Sequence, residues 1–378
     1  MGEVVSVAAT FCVVSATLSA GICCFAKTLG HHSQLIDKPD SVRKLHEEET
    51  PLVGGVALLI PSLAVSVAYL VLIHHSSQLL TTVIATATVL IVGIVDDRTG
   101  ISPVWRLLVM MFIIFTAFGL EPLFVLHTLH VGLPGTSAFI SLDPFAMPIT
   151  VLMILGFANA ANMADGMNGQ LLGSVVVWCL FVSIHLGMAA AVPFIAVICS
   201  ALVTIVFNLR GKLFSGSSGA YAASTFVALG AILAYRNANG TMPAELPLLW
   251  FWLPVVDCVR LIAKRVSAGR SPFSGDRNHF HHMLHDITRR RFALIIYLIL
   301  LAAPGAAGEF NIGMGLIALA VCFGCYVGLI AYWKAEARKG ADLPVVLAPD
   351  GAYFGVSRKH PHGTVANTAD AALPRTGS

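Results

Sequence analysis

Two carboxylates stand side by side in Ile94-Val95-Asp96-Asp97-Arg98, where an apolar run that begins near Leu79 comes to its end. Carboxylates at the mouth of a membrane-length segment are costly to desolvate, so they persist mainly where they meet a cation, a substrate or water. Four other polar clusters interrupt the apolar sequence. Upstream lie Asp37-Lys38-Pro39-Asp40-Ser41-Val42-Arg43-Lys44-Leu45-His46 and then Thr50-Pro51-Leu52-Val53-Gly54-Gly55. There Arg43 and Lys44 could meet phosphate as fork and point charge, and the glycine pair lets a backbone or ligand approach closely. Downstream, Asn159-Ala160-Ala161-Asn162-Met163-Ala164-Asp165-Gly166-Met167-Asn168-Gly169-Gln170 offers amide and carboxylate oxygens, the ligands a hard cation such as Mg²⁺ prefers. Asn159 and Asn162, three apart, share one helix face.

The fourth cluster, Phe207-Asn208 through Ser215-Gly216-Ser217-Ser218-Gly219-Ala220, is a small-residue loop that could hold an anion on backbone N–H groups or serve as a flexible connector. The fifth, Ser271 to Asp286, contains Arg277, His279, His281 and His282. Its HxHH spacing departs from structural zinc patterns, and no cysteine is near. Imidazoles beside an arginine fit diphosphate or sugar binding better. Each cluster alone also reads as a solvated turn or a basic anchor; what distinguishes them is where the chain puts them.

The elements that must position them are membrane spans. A chain of 378 residues that is 57% hydrophobic and 11% charged cannot enclose so much apolar surface in one water-soluble core. The class is an all-α polytopic membrane protein. Runs of about 17–25 apolar residues occur about eleven times, near 4–26, 53–73, 79–96, 104–120, 146–163, 170–187, 189–208, 219–235, 246–263, 293–308 and 312–333. The first lacks the basic flank of a cleaved signal peptide and is expected to remain as a span. With the N-terminus outside and the C-terminus cytoplasmic, every one of the 23 Lys and Arg residues except Arg236 falls on the inside, as the retention of positive charge there requires. All five polar clusters then share the cytoplasmic face.

The eight cysteines lie in apolar stretches and read as small buried hydrophobes. Outside, Leu123 to Phe145 suggests a hairpin turning about Gly132-Leu133-Pro134-Gly135. Residues 1–335 form the integral membrane domain, and 336–378, rich in Ala, Pro, Gly and charge, read as a disordered cytoplasmic tail.

The ordered set RKxHxxxTPLVGG, VDDR, NAANMADGMNG, FNxxxKLFxGxxG and SPFSGDRNHFHHML resembles the polyprenyl-phosphate N-acetylhexosamine-1-phosphate transferase family over roughly residues 30 to 335. The DRxHxHH loop is similar to the bacterial undecaprenyl-phosphate N-acetylglucosamine-1-phosphate transferase branch. The resemblance implies transfer of a sugar 1-phosphate from a UDP-sugar to undecaprenyl phosphate with release of UMP. This would be the first membrane step of a cell-envelope polysaccharide, such as lipopolysaccharide, at the bacterial inner membrane. It implies Mg²⁺ as cofactor, with Mn²⁺ an alternative. The expected partners are UDP-sugar, polyprenyl phosphate and the bilayer, with no nucleic acid; a homodimer is compatible. By resemblance, Asp96, Asp97 and Asp165 are catalytic, Asp96 and Asn162 face the metal, and Lys44, Asn208, Arg277, His279, His281 and His282 bind substrate.

Two stretches depart from the family pattern. The loop after Phe214 usually reads GDxGS, whose aspartate is a metal ligand; here Ser217 takes its place. Asn168 replaces an aspartate, and Gln170 a leucine. A second function class therefore stays open: a catalytically weak relative that binds donor or lipid, or scaffolds glycan-assembly enzymes. Retention of Asp96, Asp97, Asn162 and the histidine loop favours the enzyme.

Overall fold

The computed structural model describes residues 2–37, 49–273, 278–288 and 290–341. In chain order, α1 (Gly2–Cys24) and a short α2 (Ala26–Ser33) lead to β1 (Ile36–Asp37), which pairs antiparallel with β2 (Thr50–Pro51). Then come α3 (Gly54–Leu72), α4 (Ser77–Thr99) and α5 (Pro103–Leu120). A hairpin of β3 (Thr128–Val131) and β4 (Ala138–Ser141) precedes α6 (Ala146–Ala164), α7 (Gln170–His185), α8 (Met188–Leu209) and α9 (Gly216–Asn237). The last elements are α10 (Glu245–Ser267), α11 (Phe280–Ile287), α12 (Arg290–Phe310) and α13 (Ile312–Ala341).

All eleven apolar runs are helices. Ten are long and apolar enough to cross a membrane. The remaining one, α7, has 16 residues, just under the length that spans a bilayer unaided; it packs against α8, α9 and α12 and keeps most of its side chains from lipid. The chain divides into two compact units, 1–329 and 330–378. The described part of the second is the end of α13, which continues to Ala341, six residues into the tail expected from 336; residues 342–378 lie outside the described residues.

Helices in lipid gain no hydrophobic drive from meeting one another, so small residues and interhelical hydrogen bonds decide their packing. Both devices are present. The sequence of α9 is dominated by Gly, Ala, Ser and Thr, and 94% of its membrane-length window is enclosed. It lies against α3, α4, α6 and α7, with Gly93 of α4 backed directly onto Ser218. The second device joins α1 to α8. The Ser15 and Ser200 hydroxyls are 2.8 Å apart, those of Ser19 and Thr204 3.1 Å, and Ser15 also donates to the Ala196 carbonyl at 3.2 Å.

The glycine pair that opens α3 is explained by backbone. Gly54 N–H donates to Phe214 C=O at 2.8 Å and Gly55 N–H to Ser215 C=O at 3.0 Å. Side chains there would strike the 214–219 backbone. At the opposite end of the bundle the expected hairpin forms, with Val131 opposite Ala138. Its backbone is tied to the α9–α10 connection: His130 N–H donates to the Tyr235 hydroxyl at 2.6 Å, and Ala244 N–H to the His130 carbonyl at 2.7 Å.

Candidate active site

The polar clusters meet at one end of the bundle. The last turn of α4 presents Asp96 and Asp97 in different directions, because successive residues of a helix are about 100° apart. Gly100 ends this helix in the left-handed conformation (φ +66°), and Pro103 opens α5, which swings Arg106 back over the carboxylates. Its Nη1 lies 2.9 Å from Asp96 Oδ2, with both side chains largely withdrawn from solvent. Arg106 also lies 4.8 Å above the Tyr221 ring of α9, and the Tyr221 hydroxyl donates to Asn162 Oδ1 at 2.9 Å. A continuous chain of contacts thus runs Asp96–Arg106–Tyr221–Asn162.

Asp97 faces the other way, into the start of α9. Its Oδ1 accepts from Ser217 N–H at 2.6 Å and its Oδ2 from Ser218 N–H at 3.0 Å. A carboxylate across the first N–H groups of a helix satisfies orphan donors and complements the helix dipole. Gly216 (φ +70°) makes this fit; a Cβ there would overlap the Asp97 carboxylate. Ser217, where the family carries its aspartate, therefore sits directly beside Asp97.

Asp165 ends α6. Although part of its surface is accessible, the protein enclosing the carboxyl pushes it up to about 7, and the negative charge of Asp97 adds to the shift. Enclosed carboxylates that repel each other are relieved by a divalent cation. Among the described residues no three His, Cys, Asp or Glu side chains form a ready-made ligand array. Asp165 lies close enough to Asp97 to feel its charge, and Asn162 is linked to Asp96 through Tyr221 and Arg106. Carboxylate and amide oxygens are the donor types that Mg²⁺ or Mn²⁺ takes when few protein ligands are completed by substrate oxygens.

The histidine motif folds into α11, an element the sequence does not announce. His281 stacks on the Asp165–Gly169 loop at Gly166, where any side chain would collide with its ring. Burial first, and the neighbouring His282, His279 and His285 second, hold His281 well below its ordinary value, so the ring is neutral at neutral pH. His282 lies 4.2 Å from it, ring centre to ring centre, and His279 5.3 Å. His279 Nε2 is 3.4 Å from Arg265 Nη2; since a guanidinium can only donate, this nitrogen is the acceptor.

Asn208, implied as a substrate-binding residue, makes structural contacts. Its side chain is buried and spent on backbone: Oδ1 accepts from Gly169 N–H at 2.5 Å, and Nδ2 donates to the Leu213 carbonyl at 2.9 Å. It braces one site loop against another. Lys44 and Arg277 lie outside the described residues. Sequence reading passed over Arg106, counted there only as an inside charge, and Tyr221, hidden in a small-residue run; neither has a local signal, since their partners are on other helices.

The fold and site together define a polytopic helical membrane protein that gathers carboxylates, an amide, an arginine and a histidine helix at one end of its spans. Residues 79–235 match the model of glycosyl transferase family 4. The undecaprenyl-phosphate alpha-N-acetylglucosaminyl 1-phosphate transferase of Escherichia coli K12 is 30% identical over 307 residues, 76% of this chain and 80% of that protein. The Yersinia pestis protein of the same name is 29% identical over 289 residues, 73% and 77% of the two chains. A probable undecaprenyl-phosphate N-acetylglucosaminyl 1-phosphate transferase of Bacillus subtilis is 25% identical over 274 residues, 70% and 74% of the two chains. The chain belongs to the polyprenyl-phosphate N-acetylhexosamine-1-phosphate transferase family, a family of membrane phosphotransferases.

Proposed function

We propose that this protein moves N-acetylhexosamine 1-phosphate from a UDP-sugar to undecaprenyl phosphate at the cytoplasmic face of the bacterial inner membrane. A phosphate oxygen of the lipid attacks the phosphorus that bears the sugar. The bond from that phosphorus to the bridging oxygen breaks, the bridging oxygen leaves on UMP, and an undecaprenyl-diphosphate sugar remains. Two anionic reactants must be brought in line, so the site has to neutralise charge as well as orient.

Mg²⁺ or Mn²⁺, held by Asp96, Asp97, Asp165 and Asn162 with substrate oxygens, would supply the divalent charge. Arg106, steered by Asp96 and braced on Tyr221, offers a delocalised cation with donors in a fixed fork, suited to a phosphate. Asp97, fixed by Ser217 N–H and Ser218 N–H, keeps its carboxylate in one orientation beside the reacting groups. His281, neutral and seated at Gly166, and His279 and His282 beside it would hydrogen-bond the donor's sugar and diphosphate, as the family resemblance implies. By family resemblance Lys44 and Arg277 add charge for the phosphates.

The observation that carries this reading is the convergence of the carboxylate pair, the Asn162–Gly169 loop and the histidine helix at one end of the spans. The test is UMP release by purified protein given undecaprenyl phosphate and a panel of UDP-N-acetylsugars, with Mg²⁺ and with EDTA. Metal-dependent release with at least one donor is expected. One feature favours a second reading: Ser217 removes a carboxylate from the metal-facing loop. Donor binding with no release across the whole panel would replace the enzyme by a binding or scaffolding relative.

A further inference from the structure

Asp257 lies within the apolar segment of α10 and is 6% exposed. A buried carboxylate in a membrane span is costly unless its partners are complete and functional. Its partners are complete. Oδ1 accepts from Arg260 Nε and Nη2 at 3.0 and 2.6 Å and from the Tyr326 hydroxyl at 2.8 Å. Oδ2 accepts from the backbone N–H of Phe280 at 3.2 Å and lies 4.0 Å from His279 Nδ1. Arg260 continues the pattern: Nη2 donates to the Asn278 carbonyl at 2.6 Å and Nε to the Tyr326 oxygen at 2.7 Å.

The geometry has a direction. Phe280 is the first residue of α11, and the residue before it, His279, makes no side-chain cap of its own. Asp257 supplies the cap from another helix. The acid takes the N–H after His279 and the arginine takes the C=O before it, so the ion pair grips the backbone on both sides of that residue. The Phe280 ring packs 4.7 Å from Tyr326, ring centre to ring centre, closing the grip from the apolar side. With both flanks of His279 fixed, its ring is held between Arg265 and Asp257. Two residues on, His281 is packed against Gly166.

We propose that Asp257 is a positioning residue of the donor site. With Arg260 and Tyr326 it fixes the N-terminus of α11, so that His279 and His281 meet the UDP-sugar in one pose. The inference rests on the reading that the histidine helix contacts the donor. It assigns Asp257 no contact with either substrate: its effect passes through the histidines.

Asp257→Asn keeps the shape and one acceptor oxygen but removes the charge and leaves either Phe280 N–H or the Arg260–Tyr326 side without a carboxylate oxygen. In full-length protein in lipid nanodiscs, KM for the UDP-sugar should rise about tenfold, the scale of one charge-assisted hydrogen bond. KM for undecaprenyl phosphate should stay within about twofold. Hydrogen exchange in the peptide covering 279–287 should quicken by a similar factor. A span brace alone would lower thermal stability without separating the two KM values. Asp257→Glu, which retains the charge, should recover most of the exchange protection and part of the donor KM, and it serves as the test if Asp257→Asn does not fold. Equal donor KM and equal protection in variant and wild type would overturn the inference, as would a rise shared by both substrates. Absence of UMP release from the wild type would instead count against the proposed reaction, and the exchange comparison would then decide the clamp by itself.

Discussion

Ser217→Asp restores the carboxylate that the family carries beside Asp97, and its sign depends on metal. The Ser217 N–H already touches Asp97 Oδ1 at 2.6 Å, so a carboxylate on the same residue would lie roughly 5 Å from that of Asp97, a repulsion of about 3 kcal/mol at an effective dielectric near 20. Both positions are partly exposed, and water and salt should reduce this to about 1–2 kcal/mol. In EDTA the variant should therefore unfold more easily than the wild type. A divalent cation between the two carboxylates reverses the balance: at Mg²⁺ a hundredfold above Kd, linkage adds about 2.7 kcal/mol. Thermal unfolding followed by tryptophan fluorescence, in EDTA and across a Mg²⁺ titration, reads both effects without needing turnover. The variant should start below the wild type, cross it as Mg²⁺ rises, and reach half-maximal UMP release at lower Mg²⁺. Identical stability in EDTA together with an identical Mg²⁺ response would refute the assignment of this corner as the metal position.

Asp97→Asn is no simple charge deletion, because one of the two N–H donors of Ser217 and Ser218 would face an amide NH₂. UMP release should fall at least a hundredfold, and unfolding should become easier by about 1.5–3 kcal/mol, the worth of a charge-assisted hydrogen bond; unchanged turnover would remove Asp97 from the site. Gly166→Ala places a methyl where the His281 ring sits, so donor KM should rise while the far hairpin keeps its hydrogen-exchange protection, and an unaltered donor KM would show that His281 does not need that seat. In a cysteine-free background, Lys212→Cys should react with a membrane-impermeant maleimide only after permeabilisation and Ser137→Cys in intact cells. The reverse pattern would invert the topology inferred from the charge split.

The spans were legible because each is a long apolar run, and the hairpin because Gly132-Leu133-Pro134-Gly135 separates two short extended stretches. The order of the polar motifs was legible too. What they do to one another was not. Nothing near Asp97 in the sequence says that it caps a helix 120 residues away, and nothing near Asn208 says that its amide is used up on two loops. Asp257 was passed over because one acidic residue does not break an apolar window, although its cost in a span makes it informative. The helix α11 was hidden by its polarity: a short segment with three histidines reads as loop until the cap from α10 is seen.

The hydroxyl seam between α1 and α8 bears on how the chain is made. Ser15 and Ser200 are 185 positions apart, as are Ser19 and Thr204. At about 5–20 residues per second, α8 leaves the ribosome roughly 10–40 s after α1. During that interval the first helix lacks its α8 partner, and an amide or carboxylate on the face meeting α8 would be left with few groups to satisfy it. Serine and threonine can wait, since their hydroxyls turn to a carbonyl one turn back, as Thr10 does to Ser6 at 3.0 Å and Thr17 to Val13 at 2.8 Å. A hydroxyl that can be satisfied within its own helix and also across to α8 needs no partner until that helix is made, so the composition of the seam suits the order of synthesis as well as the finished fold.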